Sequence, residues 1–163
     1  MSLKGKAFKY GAHIDTDAII PARHLNLLEP ADLAKHCMED LDAEFISKVS
    51  NGDIIVADIN FGCGSSREQA VSCLKGHELV IVANDFARIF LQNGINLGLR
   101  MIVCPGIEAS EGDELELTAT EVINKNSGKR FPVQPMPKSR QAIIDAGGLI
   151  QYTRKRLQEA SAD

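Results

Sequence analysis

Ile54-Ile55-Val56-Ala57-Asp58-Ile59-Asn60-Phe61-Gly62-Cys63-Gly64-Ser65-Ser66-Arg67-Glu68 is the stretch that decides the fold. Four apolar residues run into a turn with two glycines, and the turn runs into a helical pattern from about 67 to 75. A buried strand, a turn and a helix in that order make half of a parallel unit. The second half follows at once. Leu79-Val80-Ile81-Val82-Ala83 reads as another buried strand, and residues 86–96 read as a helix with Phe86, Ile89, Phe90 and Asn93 at helical spacing. Asn84 or Asp85 is placed to cap that helix. Met101-Ile102-Val103-Cys104 is a third apolar strand, stopped by Pro105-Gly106. Residues 53–104 therefore predict a parallel α/β layer.

On the upstream side, residues 4–10 alternate polar with apolar and read as a strand ending at Gly11. A loop is expected over 12–21, and Pro30 suits the first turn of a helix, with polar helical segments continuing to about 49. Downstream, Glu114-Leu115-Glu116-Leu117-Thr118 alternates within a strand over 113–119. Lys129-Arg130-Phe131-Pro132-Val133 is expected to pair with it across Asn126-Ser127-Gly128. Two helices, 138–146 and 149–159, close the chain on either side of Gly147-Gly148. With no repeat, linker or low-complexity segment, residues 1–163 read as one domain.

The composition narrows the function classes. A net charge of −4, no Trp and two Tyr leave little for a nucleic acid to bind. No apolar run approaches the ~20 residues of a membrane span. Met1-Ser2-Leu3-Lys4-Gly5-Lys6 has neither the apolar core nor the cleavage site of a signal peptide, which points to the cytoplasm. The cysteines at 37, 63, 73 and 104 form no Cys-x-x-Cys and no zinc-type Cys/His spacing, so no metal site is expected. Cys73 and Cys104 are expected to be small core residues.

The turn itself has a chemical meaning. Gly62 and Gly64 allow positive φ and let a ligand approach the backbone. Amides free at the start of a helix favour an anion. Ser65 and Ser66 add hydroxyls there, Arg67 adds a fork that matches a carboxylate or phosphate, and Glu68 can cap amides or hold Arg67. There is no Gly-Lys-Ser/Thr of a phosphate loop and no third glycine of a dinucleotide turn. The local pattern alone supports an anion site, and a Gly-Ser-Ser before a helix also serves as an ordinary cap.

Residues 60–68 resemble the signature of the swivelling domain of the aconitase superfamily. Ile14-Asp15-Thr16-Asp17-Ala18-Ile19-Ile20-Pro21-Ala22-Arg23 is similar to its other hallmark, in the form seen in small subunits of isopropylmalate-type dehydratases. Asn84-Asp85-Phe86-Ala87-Arg88-Ile89-Phe90, followed by Asn93-Gly94-Ile95-Asn96, falls where that family has a third motif. The resemblance covers effectively the whole chain. It implies a swivelling β/β/α domain that works as the small subunit of a hydro-lyase, removing and re-adding water on an alkyl-malate in leucine biosynthesis. It also implies a large-subunit partner carrying a [4Fe-4S] cluster, with no cofactor held by this chain. A homo-oligomer of the isolated chain is left open.

By the same resemblance Ser65 is the base that takes a proton from carbon, and Arg23, Ser66 and Arg67 bind substrate carboxylates. A serine hydroxyl is far too weak a base by itself, so its surroundings must stabilise its alkoxide, and the glycine-turn amides and Arg67 are the obvious suppliers. Asp15, Thr16 and Asp17 are expected to shape their loop and cap backbone groups, while Arg88 fits either a buried pair or the site. The substrate-specificity loop is His24, Leu25, Asn26, Leu27 and Leu28, where relatives with longer tricarboxylates place an arginine near 26. Leu27 or Leu28 would suit an alkyl substituent, although a leucine before a helix is also an ordinary packing residue. Dimethylmalate, citramalate and homoaconitate enzymes remain alternatives, as does a non-enzymatic anion- or RNA-binding module.

Overall fold

In the computed structural model, which describes residues 2–162, apolar alternation along the central strands separates two cores. In chain order the elements are β1 (Leu3–Lys9), α1 (Thr16–Ile19), α2 (Pro30–Ala34), α3 (Phe45–Lys48), β2 (Ile54–Ala57), α4 (Glu68–Lys75), β3 (Val80–Ala83), α5 (Arg88–Leu97) and β4 (Arg100–Val103). They continue with β5 (Glu114–Leu117), β6 (Glu121–Asn124), β7 (Arg130–Pro132), α6 (Lys138–Asp145) and α7 (Leu149–Ser161). The seven strands form one mixed sheet, ordered β4-β3-β2-β1-β5-β6-β7. β1 is the junction. Its second half pairs parallel with β2 (Ala7 with Ile54), and its first half pairs antiparallel with β5 (Leu3 with Leu117).

Side chains alternate across a strand, so each parallel strand feeds both cores. Phe8, Ile55, Ala57, Ile81 and Ala83 face the helices, where α4 packs Ala70, Val71, Cys73 and Leu74 at helical spacing. Ala7, Ile54, Val56, Val80 and Val82 face Leu115, Leu117 and Val122 of the antiparallel strands. β2 and β3 are buried on both faces, which is why they read as unbroken apolar runs. The sheet curls until the Gln134 amide donates to the Val103 carbonyl (2.8 Å), bringing the segment after β7 to the edge of β4. Helices, parallel strands and antiparallel strands thus make the expected β/β/α layering.

Four local expectations need correction. The hairpin closed by Asn126-Ser127-Gly128 joins β7 to β6, and β6 rather than β7 pairs with β5. The Asn124 side-chain oxygen accepts the amides of Asn126 and Ser127, while the Thr118 hydroxyl accepts those of Thr120 and Glu121, so a tight turn falls where the strand over 113–119 was expected to continue. Helix α5 begins at Arg88 with Ala87 at its cap position and no side-chain cap. Asp85 instead accepts the Asn60 amide (2.5 Å), and Asn84 bridges Asp58 and the Gly106 amide. Between α2 and α3 the chain turns rather than continuing as helix, because Met38 is left-handed (φ 62) and its amide donates to the Ile19 carbonyl (2.8 Å). The loop after β1 contains α1, capped by Asp15, whose carboxylate accepts the Asp17 amide (2.7 Å).

No helix among the described residues is long and apolar enough to cross a membrane. Cys73 and Cys104 are fully buried, as is Cys37.

Candidate active site at the carboxyl ends of the parallel strands

Three loops leave the carboxyl ends of β1, β2 and β3, the edge of a parallel sheet where ligands usually bind. Their backbones lace together. The Gly62 amide donates to the Ile14 carbonyl (2.8 Å), Thr16 donates to Cys63 (2.8 Å) and Ala87 donates to Phe61 (2.9 Å). The three motifs read separately along the chain are therefore neighbours in space. Beneath the turn, Phe61 meets Phe90 edge to face at 5.3 Å between ring centroids and Phe86 at 6.0 Å. Such pairs contribute roughly 0.5–1.5 kcal/mol each beyond area burial.

The turn glycines are required by geometry. Gly62 has φ +84, and a Cβ there would lie 2.1 Å from the Phe90 ring. Gly64 has φ +97, and a Cβ there would lie 2.5 Å from an Asp15 carboxylate oxygen. Both positions combine a left-handed backbone with an occupied neighbour, so no other residue type fits without a shift.

Ser65 and Ser66 are exposed and precede α4, whose cap position is Arg67. The Ser65 hydroxyl lies 3.1 Å from the hydroxyl of Thr16, which is 1% exposed and also donates to the Ser65 carbonyl (3.2 Å). The Ser66 carbonyl accepts from the Asn93 side chain (3.3 Å). Arg67 is tucked in, with 19% of its side chain exposed, and pairs with Asp17 while donating to the Ile20 carbonyl (3.3 Å). Among the described residues Glu68 is not its partner. Burial, then the Asp15 charge, pushes the Cys63 thiol up, so it stays protonated at neutral pH.

A cleft of about 760 Å³ opens beside the turn, lined by Gly64, Ser65, Arg88, Asn93 and Arg140 among others. Arg88 and Arg140 are exposed and form no ion pair among the described residues. Arg140 was not singled out in the sequence. It arrives on α6 from more than seventy positions beyond Ser65, and no local pattern signals that approach.

Arg23 is not among the residues that line the Ser65 cleft. Its guanidinium grips Asp40 through both terminal nitrogens (3.0 and 2.7 Å) and Glu39 through one (2.5 Å). In the loop that follows, Leu25 and Leu27 pack against the helical core, Asn26 is exposed, and Leu28 is 88% exposed. His24 stacks on His36 (3.7 Å between centroids, 12° between planes), and both bind the Glu39 carboxylate (2.5 and 3.0 Å). These three are the only group of metal-ligand type among the described residues. Nearly parallel rings keep their lone pairs in separate planes, so the arrangement serves a carboxylate better than one shared ion. No thiol belongs to any three-donor group among the described residues.

The model of the family described as Aconitase C-terminal domain matches residues 6–105. A 3-isopropylmalate dehydratase small subunit from Thermodesulfovibrio yellowstonii is 49% identical over 162 residues, covering 96% of each chain. A 2,3-dimethylmalate dehydratase small subunit from Eubacterium barkeri is 49% identical over 157 residues, covering 93% of this chain and 96% of that one. The crystal structure of a 3-isopropylmalate dehydratase from Methanocaldococcus jannaschii superposes with a TM-score of 0.95 at 42% identity, covering 99% of both chains. With a matching family model and near-complete likeness in sequence and shape, the chain belongs to the aconitase C-terminal domain family, among its dehydratase small subunits.

Proposed function

We propose that the chain is the small subunit of a 3-isopropylmalate dehydratase, a hydro-lyase that converts 2-isopropylmalate to 3-isopropylmalate and acts only with its large subunit. The observation that carries this reading is 49% identity across 96% of both chains to a small subunit of that name. The single seven-stranded sheet supports treating residues 1–163 as one domain.

In this reading Ser65 takes the proton from the substrate carbon. Its hydroxyl is exposed to the cleft and 3.1 Å from that of Thr16, whose one proton, donated to the Ser65 carbonyl in the resting site, can turn to a developing alkoxide. Arg67, held by Asp17 and the Ile20 carbonyl, offers its remaining N–H groups to a carboxylate, and the exposed Ser66 adds a hydroxyl to the same binding role. Arg23 meets a second carboxylate from the side of the 24–28 loop. A [4Fe-4S] cluster in the large subunit would supply the Lewis acid for the leaving hydroxyl. Leu28, exposed beyond the packed Leu27, is the apolar group of the loop free to meet an alkyl substituent.

The test is anaerobic reconstitution with the cognate large subunit and a panel of alkyl-malates. Highest kcat/KM on 2-isopropylmalate is expected. Preference for 2,3-dimethylmalate, which the Eubacterium barkeri relative makes the main competitor, would reassign the substrate while keeping the reaction. Ligand binding by the isolated chain, with no activity in the complex, would refute the enzyme reading.

A further inference from the structure

Five side chains from two distant stretches converge beside the specificity loop. Arg23 and His24 come from the turn after α1, and His36, Glu39 and Asp40 come from the turns after α2. Glu39 is the centre. One carboxylate oxygen accepts from Arg23 and bonds His24, both at 2.5 Å, and the other bonds His36 at 3.0 Å. Burial alone would push Glu39 up, but hydrogen bonds from His36, His24 and Arg23 outweigh it and hold the carboxyl down at about 2. It is therefore charged at any working pH.

Stability does not account for the arrangement. The side chains of Arg23 and Asp40 are 55% and 49% exposed, and ion pairs so exposed contribute little to folding. The two carboxylates follow directly on a constrained turn. Met38, a bulky residue, is fully buried in the left-handed region, pinned by its amide to Ile19, and this turn aims Glu39 and Asp40 back at Arg23. Three N–H groups of the guanidinium are used, so its plane and direction are set, while Nε–H and one N–H of Nη1 are left for a ligand.

We infer that Glu39 is a positioning residue for Arg23: with Asp40 it fixes the guanidinium, and through His24 and His36 it ties that guanidinium to the head of the specificity loop. The inference rests on the reading that Arg23 meets a substrate carboxylate. A free arginine on an exposed turn would lose side-chain freedom each time substrate bound. One already oriented by two carboxylates has lost it on folding, so the benefit appears in substrate affinity.

Steady-state kinetics of the complex with the cognate large subunit test this, using 2-isopropylmalate and the variants Glu39→Gln, Asp40→Asn, Arg23→Ala and the double variant Arg23→Ala/Glu39→Gln. Glu39→Gln is expected to raise KM about tenfold with kcat within about twofold, and to add nothing once Arg23 is alanine. A raised KM in Arg23→Ala with wild-type KM in Glu39→Gln would overturn the positioning role alone. Additive effects in the double variant would also overturn it. An unchanged KM in Arg23→Ala would instead strike the assigned role of Arg23, and the inference would fall with it. Should thermal unfolding show that Glu39→Gln does not fold, Asp40→Asn carries the same test, with a smaller rise in KM expected.

Discussion

The turn that presents Ser65 and the loop that follows Arg23 stand on opposite principles of construction. Residues 60–67 are held by backbone: amides bridge to the Ile14 and Cys63 carbonyls, the glycines are left-handed, and a phenylalanine cluster fills the space below. Residues 23–28 are held by side chains, through Glu39, Asp40 and the stacked imidazoles, with Leu25 and Leu27 as apolar anchors. Backbone lacing with two left-handed glycines leaves no room for change at Gly62 and Gly64, and would suit the base role proposed for Ser65. Side-chain tethers can be exchanged residue by residue, which would suit the role in substrate choice proposed for this loop.

Ser65→Ala would break the comparison most sharply. The turn should fold as before, while kcat in the reconstituted enzyme falls roughly 10²–10⁴-fold. Near-normal turnover would move the base elsewhere. Gly62→Ala attacks the lacing itself, since the added methyl meets Phe90 in a left-handed backbone. A loss of about 2–4 kcal/mol in chemical denaturation is expected, and a neutral result would mean that the turn is far softer than described. Thr16→Val keeps the shape but removes the donor to Ser65, stranding that carbonyl. We expect kcat to drop ~10–100-fold with about 1–2 kcal/mol of stability lost. Equal losses of stability without any change in kcat would make Thr16 purely structural.

The smallest effect concerns the other region. Glu39 has a folded-state value of about 2 against an ordinary 4.5, so the unfolded chain takes up its proton first as pH falls. Its stabilisation is complete above about 4.5 and fades as pH drops toward about 2. Because Glu39 and its partners are partly exposed, the difference between wild type and Glu39→Gln should be at most about 1 kcal/mol at neutral pH. It should vanish in acid, as thermal unfolding across that window would reveal. A difference independent of pH would mean that the glutamine damages something other than the ion pairs.

Much of this was legible in the chain. The strands β2, β3 and β4 are short apolar runs between turn residues, and period alone marks α4, so the parallel layer and the Gly62–Gly64 turn follow from local pattern. What failed was local in a different sense. Asn84 and Asp85 have the right chemistry to cap a helix, yet they serve Asp58, Gly106 and Asn60 because those partners come from other strand ends. β6 was hidden because Thr118 and Asn124 form their turns with side chains that also fit a continuing strand.

Residue type and spacing determined by themselves which groups the chain has to offer: a serine on a glycine turn before a helix, arginines fit for carboxylates, and no cysteine pattern for a cluster. Only the tertiary structure decided which of them meet. Thr16 reaches Ser65, Asp17 takes Arg67, Glu39 and Asp40 take Arg23, and Arg140 reaches the cleft. Hydrogen bonds and ion pairs act over about 3 Å in space, whatever the separation along the chain. A sequence therefore lists the donors and acceptors, and the packing of β1, β2 and β3 with their loops pairs them.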